Sequence, residues 1–390
     1  MLKLQNLMKK VCIALVMCFI AGKSFAQDPA EQRVITTGVP FLLIAADARA
    51  AGLADMGVAT GADVFSQQWN PAKYSFSLSK QAIGVTYTPY LSQLVNDIFL
   101  GNVTYYNRLN ERSAIGASFR YFSNGDIELR QTAGEEPLIV RPNEFAFDVS
   151  YSLRLSERFS MAVAGRFINS NLRFDQVNDA SAASTFAVDI AGYYQSEEIA
   201  YNSFDGRWRF GFNISNIGPK LSYGDDAPDN NIPTNLSIGG GFDFILDEYN
   251  RIQVMAEIDK LLVPTPRDFN GDGVIDQEDA QEYEDISFFS GIFESFGDAP
   301  DGFSEELKEM QWALGAEYWY QDVFAFRAGY FNESEEKGFR KFFSLGAGFK
   351  YTSLAFDVSY LFSTSRSVSP LEGTLRFGLT FNFGDTYDEY

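Results

Sequence analysis

The sequence predicts an all-β protein, a 14-stranded antiparallel transmembrane β-barrel with an N-terminal plug segment. Three observations carry this. From residue 81 onward, large apolar residues alternate with small, polar or charged ones. The alternating stretches number fourteen and most run 10–12 residues, against about 5–6 for a soluble strand. Short connections interleave with long ones, as in barrels with short periplasmic turns and longer external loops.

The opening segment MLKLQNLMKKVCIALVMCFIAGKSFA has a basic start at Lys3, Lys9 and Lys10, an apolar core and a small-residue Ser24-Phe25-Ala26 site. It reads as a signal peptide, residues 1–26, cleaved after Ala26. Its apolar core is shorter than the ~20 residues of a membrane anchor. Both cysteines, Cys12 and Cys18, lie in it, and the chain has no His. That excludes Ser-His triads, His-ligated zinc and thiol chemistry in the mature chain. We expect no enzymatic activity.

Without its leader, with four lysines and no acids, the chain carries 27 basic and 52 acidic residues. Such acidity argues against a nucleic-acid partner. Aromatics still make up 16% of the chain, so something buries or lipid-solvates them.

Residues 27–80 are rich in Ala and Gly and show no sustained alternation. A lumen walled by about fourteen strands is too wide for barrel side chains alone to fill. Small residues suit a segment packed inside it. In SQQWNPAKYSF (66–76), Trp69, Asn70 and Pro71 mark the exit of this plug, with Pro71 ending regular structure before strand one. Asp47 and Arg49 are expected to pair with each other or with wall charges such as Arg120, Arg154, Arg166 and Asp148.

Residues 81–383 form the expected barrel. EFAFDVSYSLRL (144–155) sets Phe145, Phe147, Val149, Tyr151, Leu153 and Leu155 against Ala146, Asp148, Ser150, Ser152 and Arg154. RWRFGFNIS (207–215) and TLRFGLTFNF (374–383) repeat the pattern. Each strand then has one oily and one wet face. Ten residues tilted by about 40° cover about 25 Å, the height of an outer-membrane apolar band. The oily face would meet membrane lipid. Gly239–Gly241, inside a strand, read as a kink. Residues 384–390 read as a periplasmic tail.

The connection 260–308 holds DFNGDGVIDQED. Asp268, Asn270, Asp272, the Val274 carbonyl, Asp276 and Asp279 fall at EF-hand loop positions 1, 3, 5, 7, 9 and 12, with Gly273 at the sharp bend. Alternating oxygens converge there on a hard cation, so we expect structural Ca2+ on an external loop. An Asp at the last position shortens the usual bidentate arm. A solvated acidic turn is the other reading. The further acids of this connection suit either a docking face for basic cargo or plain solvated surface.

DARAAGLADMGVATGADVFSQQWNPAKY (47–74) resembles the N-terminal signature of FadL-like barrels. More narrowly it resembles the PorV (LptO) family of type IX secretion system outer-membrane proteins. VPFLLIAADARA (39–50), GVTYTPYLSQLVNDI (84–98), SFRYFSNGDIEL (118–129), NISNIGPKLSY (213–223) and DKLLVPTP (259–266) extend the likeness. Ala46, Ala51 and Gln68 stand where the family pattern has Pro, Gly and His, which leaves a paralogue open. The resemblance implies an outer-membrane protein of a Gram-negative bacterium of the Bacteroidetes, with no activity of its own. It implies three partners: a SprA/Sov-type translocon, cargo C-terminal domains and a PorU-type sortase attachment complex. A FadL-like transporter of hydrophobic small molecules is the alternative, and a purely structural or adhesive barrel a third.

Overall fold

The computed structural model describes residues 33–92, 94–130, 134, 136–172, 182–224, 228–364 and 372–387. These belong to one unit, Arg33–Tyr390. The signal peptide expected at 1–26 lies outside the described residues.

The strands are β1 (Ser79–Pro89), β2 (Ile98–Arg108), β3 (Ser113–Asn124), β4 (Ile127–Leu129), β5 (Leu138–Val140) and β6 (Asn143–Arg154). Next come β7 (Phe159–Asn171), β8 (Ala183–Gln195), β9 (Ile199–Ala200), β10 (Asp205–Ile217), β11 (Asn235–Ile245) and β12 (Asn250–Leu261). The last are β13 (Gln311–Tyr320), β14 (Phe324–Asn332), β15 (Lys341–Tyr351), β16 (Leu354–Ser363) and β17 (Leu375–Thr386).

Fourteen of these form a closed antiparallel ring: β17 pairs with β1, and β10 pairs with β11. The other three are minor. β4 and β5 make a small separate hairpin, and β9 adds two residues to the edge of β10. All fourteen expected strands are present. β1 starts at Ser79, before the expected 81, and β17 runs to Thr386, past the expected 383. Among the described residues no helix is long and apolar enough to cross a membrane.

The oily faces point outward. Phe147, Phe210 and Phe377 are 47%, 49% and 40% exposed. Their alternating neighbours Asp148, Arg209 and Arg376 are buried. A strand's two faces carry opposite side chains because its period is two, so one row meets the surroundings and the next walls the interior. The outward rings also touch across strands, as Phe145 does with Phe167, centroids 6.0 Å apart, and Phe167 with Phe186 at 5.1 Å. Such cross-strand pairs stabilise a sheet.

Residues 39–77 are mostly buried and pack against inward side chains of the wall. Small wall residues such as Ala82, Ala114, Ala146, Ala162 and Ala313 are buried against them. Leu53 and Met56 pack with Met255, Phe331, Phe342 and Leu361 on one side of the ring. Val64, Phe65 and Tyr74 pack with Ala82, Tyr106 and Ala114 on another. Phe41 stacks on Phe122, with centroids 6.1 Å apart.

The expected kink at Gly239–Gly241 does not interrupt the ladder. These residues pair in unbroken register with β10 and β12. Gly239 instead gives room to the interior segment: a Cβ there would sit 2.6 Å from Val58 Cγ1. Pro71 also behaves otherwise than expected. Helix Ser66–Trp69 ends at Asn70, and Pro71 opens a 3-10 helix, Pro71–Phe76. A ring-locked φ and a missing N–H suit the first position of a helix.

Candidate functional site

Residues 33–77 have little regular structure, so their buried backbone groups need partners from elsewhere. The wall supplies them. Glu257 of β12 accepts from Gly57 N at 3.0 Å and Val58 N at 2.9 Å. Ser344 Oγ of β15 accepts from Ala54 N at 2.8 Å. Arg154 of β6 donates to Ser75 O at 2.8 Å, and Arg108 of β2 to Ser77 O at 2.6 Å.

Asp47 caps the short helix Ala48–Ala51, accepting from Ala50 N at 2.8 Å. Its other oxygen accepts from Trp69 Nε1 at 2.7 Å. The Trp69 ring lies against Gly57, where any Cβ would fall 2.2 Å from Trp69 Cγ. Asn70 accepts from Ala72 N at 3.1 Å and donates to Val58 O at 2.8 Å and Gly192 O at 3.0 Å. Trp-Asn-Pro therefore closes the segment on itself and fastens it to β8. Gln68 bridges back, donating to Ile44 O at 2.8 Å and accepting from Ala46 N at 3.1 Å.

Arg49 does not pair with Asp47. It makes a two-point contact with Glu317 of β13 and a third with Asp63 at 2.7 Å. Glu317 also takes Arg327 Nε at 2.7 Å, and Arg327 reaches Asp357 at 2.6 Å. Arg120 and Arg166 hold Asp148 within the wall, and Arg166 also binds Asp189 at 2.8 Å. Arg376 grips Asp55 at 3.0 Å. These buried arginines meet carboxylates or carbonyls, and Asp47 and Glu257 meet N–H donors, which offsets the cost of desolvating them. The reading from sequence named Asp47, Arg49 and the arginines but missed Glu257 and Glu317. The signal was there: a charged residue on the small-residue face of an alternating strand points inward.

The EF-hand-like stretch forms a loop followed by helix Gln277–Asp285. Asp268 accepts from Gly271 N at 2.6 Å and Gly273 N at 2.7 Å. Asn270 accepts from Asp272 N at 2.9 Å, and Asp272 from Val274 N at 2.8 Å. Gly271 and Gly273 have φ of 77° and 90°, the region glycine tolerates. Asp276 caps the helix, and Asp279 closes the capping box while accepting from Phe269 N at 2.7 Å. The loop carboxylates thus accept backbone N–H groups, and among the described residues the trio whose carboxylate oxygens lie within 4.8 Å of one another is instead Asp298, Glu306 and Glu309.

Two further helices, Phe288–Glu294 and Phe303–Glu309, complete this connection. Its inner side is pinned. Glu309 accepts from Lys260 at 2.5 Å and Lys337 at 2.9 Å, and Glu305 from Lys337 at 2.7 Å and Arg33 at 3.0 Å. Burial alone would raise both carboxyls, but these cations more than offset it and hold them below their ordinary values. Burial and the nearby Glu309 and Glu306 instead push Asp298 up, against a backbone bond from Thr265.

Beneath this connection lies a cavity of about 810 Å³. Its floor is apolar, with Val39, Phe41, Leu43, Ile98 and Phe122, and Lys337, Arg340, Glu309 and Glu333 line it as well.

Comparison with known proteins places the chain. Among solved structures it is similar to the Ralstonia pickettii toluene transporter TbuX, at 9% identity and TM-score 0.48, covering 88% of this chain and 100% of that one. It is similar to a Pseudomonas aeruginosa FadL homologue at 12% identity and TM-score 0.44, covering 91% and 100%. It is also similar to the Pseudomonas putida toluene transporter TodX at 9% identity and TM-score 0.46, covering 90% and 98%. No curated protein matches the sequence. The model of the type IX secretion system protein PorV family matches residues 27–268. The chain therefore belongs to the PorV family of type IX secretion system proteins, as an outer-membrane β-barrel.

Proposed function

We propose that this barrel binds the C-terminal domain of secreted cargo at a SprA/Sov-type translocon and carries it to a PorU-type attachment complex, turning over no substrate itself. One observation supports this most: residues 33–77 are tied by ion pairs and backbone hydrogen bonds to strands all round the ring. They act as a plug, which leaves the external surface as the working face. The leader 1–26 is removed after Ala26 on the way to the outer membrane. Affinity purification from outer membranes with mass spectrometry tests the role. Recovery of a large translocon barrel, or of several cargoes sharing one C-terminal domain, is the expected result. A preparation holding neither contradicts it.

The loop 268–279 takes calcium in this reading. Its alternating carboxylate and amide oxygens and its two left-handed glycines suit a hard, oxygen-liking cation. The ion would brace the external connection and take no part in chemistry.

A second reading, passage of hydrophobic small molecules, is favoured by the apolar cavity of about 810 Å³. It requires a route past Arg49, Glu317 and Arg327. Uptake of a fluorescent fatty acid into vesicles carrying the protein would support it.

A further inference from the structure

The external connection carries an apolar face that is exposed among the described residues. Phe289 and Phe293 stand four residues apart on helix Phe288–Glu294, 61% and 65% exposed, with ring centroids 5.3 Å apart. Phe296 follows one turn later, and Phe303 and Leu307 are exposed on the next helix. Isolated surface apolar residues need no explanation, but such a concentration beyond the lipid-facing strands does.

This face is not waiting to fold inward. The opposite side of the helix is committed: a Cβ on Gly291 would lie 2.9 Å from Pro264 Cγ. Tyr283 donates to Pro264 O at 3.0 Å, and Lys260 and Lys337 clamp Glu309. The phenylalanines are presented on a tethered platform.

Charge selects among occupants. Residues 262–310 hold 14 acidic and two basic residues. An anionic lipid surface repels such a segment, since surface potential acts within a Debye length. A second copy of this acidic face repels it equally. A protein surface with an apolar centre and a rim of lysines and arginines complements it on both counts.

We propose that the Phe289–Phe293 face is the docking surface for the cargo C-terminal domain, whose matching patch is apolar with a basic rim. This rests on the secretion reading above and names the surface that serves it. The aromatic pair is the anchor; the surrounding carboxylates steer the encounter and suppress acidic partners.

The test uses the full-length protein in detergent micelles, with a purified cargo C-terminal domain as the probe. Binding is followed by surface plasmon resonance at low and high salt. The paired variant Phe289→Ser/Phe293→Ser is compared with wild type and with Tyr249→Ser, in a short turn at the opposite end of the barrel. Heat-modifiable gel mobility confirms that each variant is a folded barrel. The expected result is affinity that weakens with salt and drops by about tenfold or more in the paired variant only. Equal binding by wild type and paired variant overturns this inference and leaves the secretion reading intact. No binding by wild type overturns both. A photo-crosslinking residue at position 289, introduced in native membranes, adds an independent arm: adducts identified as a cargo C-terminal domain support the assignment, and adducts to lipid alone or to other proteins alone overturn it.

Discussion

Arg49 and Glu317 meet through two parallel hydrogen bonds, 3.0 Å from Nε to Oε1 and 2.8 Å from Nη2 to Oε2, across 268 residues of chain. This forked geometry ties the interior segment to the middle of β13, and both groups are largely withdrawn from water. Breaking such a pair from one side leaves an under-compensated buried charge, at a cost of about 3 kcal/mol. Arg49→Ala is therefore expected to lower thermal stability and to loosen the plug. Planar-bilayer recordings should show a silent wild type and intermittent conductance in the variant. Silence and unchanged stability in Arg49→Ala would remove this pair from the account.

Phe147 points outward from the centre of β6, next to the buried Asp148. An arginine at that height on a lipid-facing wall costs about 2–4 kcal/mol. Phe147→Arg should fold into liposomes with that loss in urea titration, while Phe147→Leu should stay near wild type.

Calcium should protect the connection around 268–279 from protease, and a chelator should remove the protection. Expected affinity falls in the weaker, extracellular range of about 10⁻⁴–10⁻³ M, since Asp279 has a shorter arm than Glu. Asp268→Ala with Asp272→Ala should abolish the calcium effect while leaving the barrel's heat-modifiable mobility unchanged.

Docking of helix Phe303–Glu309 should depend on pH in a defined sense. Glu305 and Glu309 are held below their ordinary values once burial is offset by Lys337, Lys260 and Arg33. Their stabilisation is thus present above the free carboxyl value and lost as pH falls through the lowered one, below about pH 4. Lys337 resists burial through Glu305 and Glu309 and sits above its ordinary value. Its share is present below about pH 10 and lost at higher pH as it deprotonates. Asp298 runs against the acids: raised by burial and by Glu309 and Glu306, it is relieved as pH falls. Hydrogen-exchange protection across 303–309, taken relative to the intrinsic exchange rate at each pH, should be greatest between these limits and smallest at both extremes.

The barrel itself was legible because alternation is a local signal. Six residues around Phe147 are enough to assign its face, and the same parity holds at Phe210 and Phe377. Residues 33–77 were legible as a small-residue segment with an exit at Trp69-Asn70-Pro71 and charges to pair at Asp47 and Arg49, but not as a path. Their route depends on close approaches that no local pattern announces, such as Trp69 on Gly57, or Val58 O lying 2.1 Å from where a Gly211 Cβ would stand. Glu257 meets Gly57 N across 200 residues. Parity marks Glu257 as inward but does not name its partner. The first loop helix escaped because QEDAQEYED lacks apolar periodicity, and the other two because FFSGIFE and FSEELKE run only 7 residues each, too short to show a period. Only the Asp276 and Asp279 capping box marked the start of the first helix, and those residues had already been read as cation ligands.

The most direct measurement is fractionation of cargo in the native bacterium after deletion of this gene, with wild type restored in parallel. The account predicts that cargo bearing the shared C-terminal domain is no longer attached at the cell surface and that the restored gene returns it there. Normal surface attachment in the deletion strain, or catalytic turnover by the purified barrel, would contradict it.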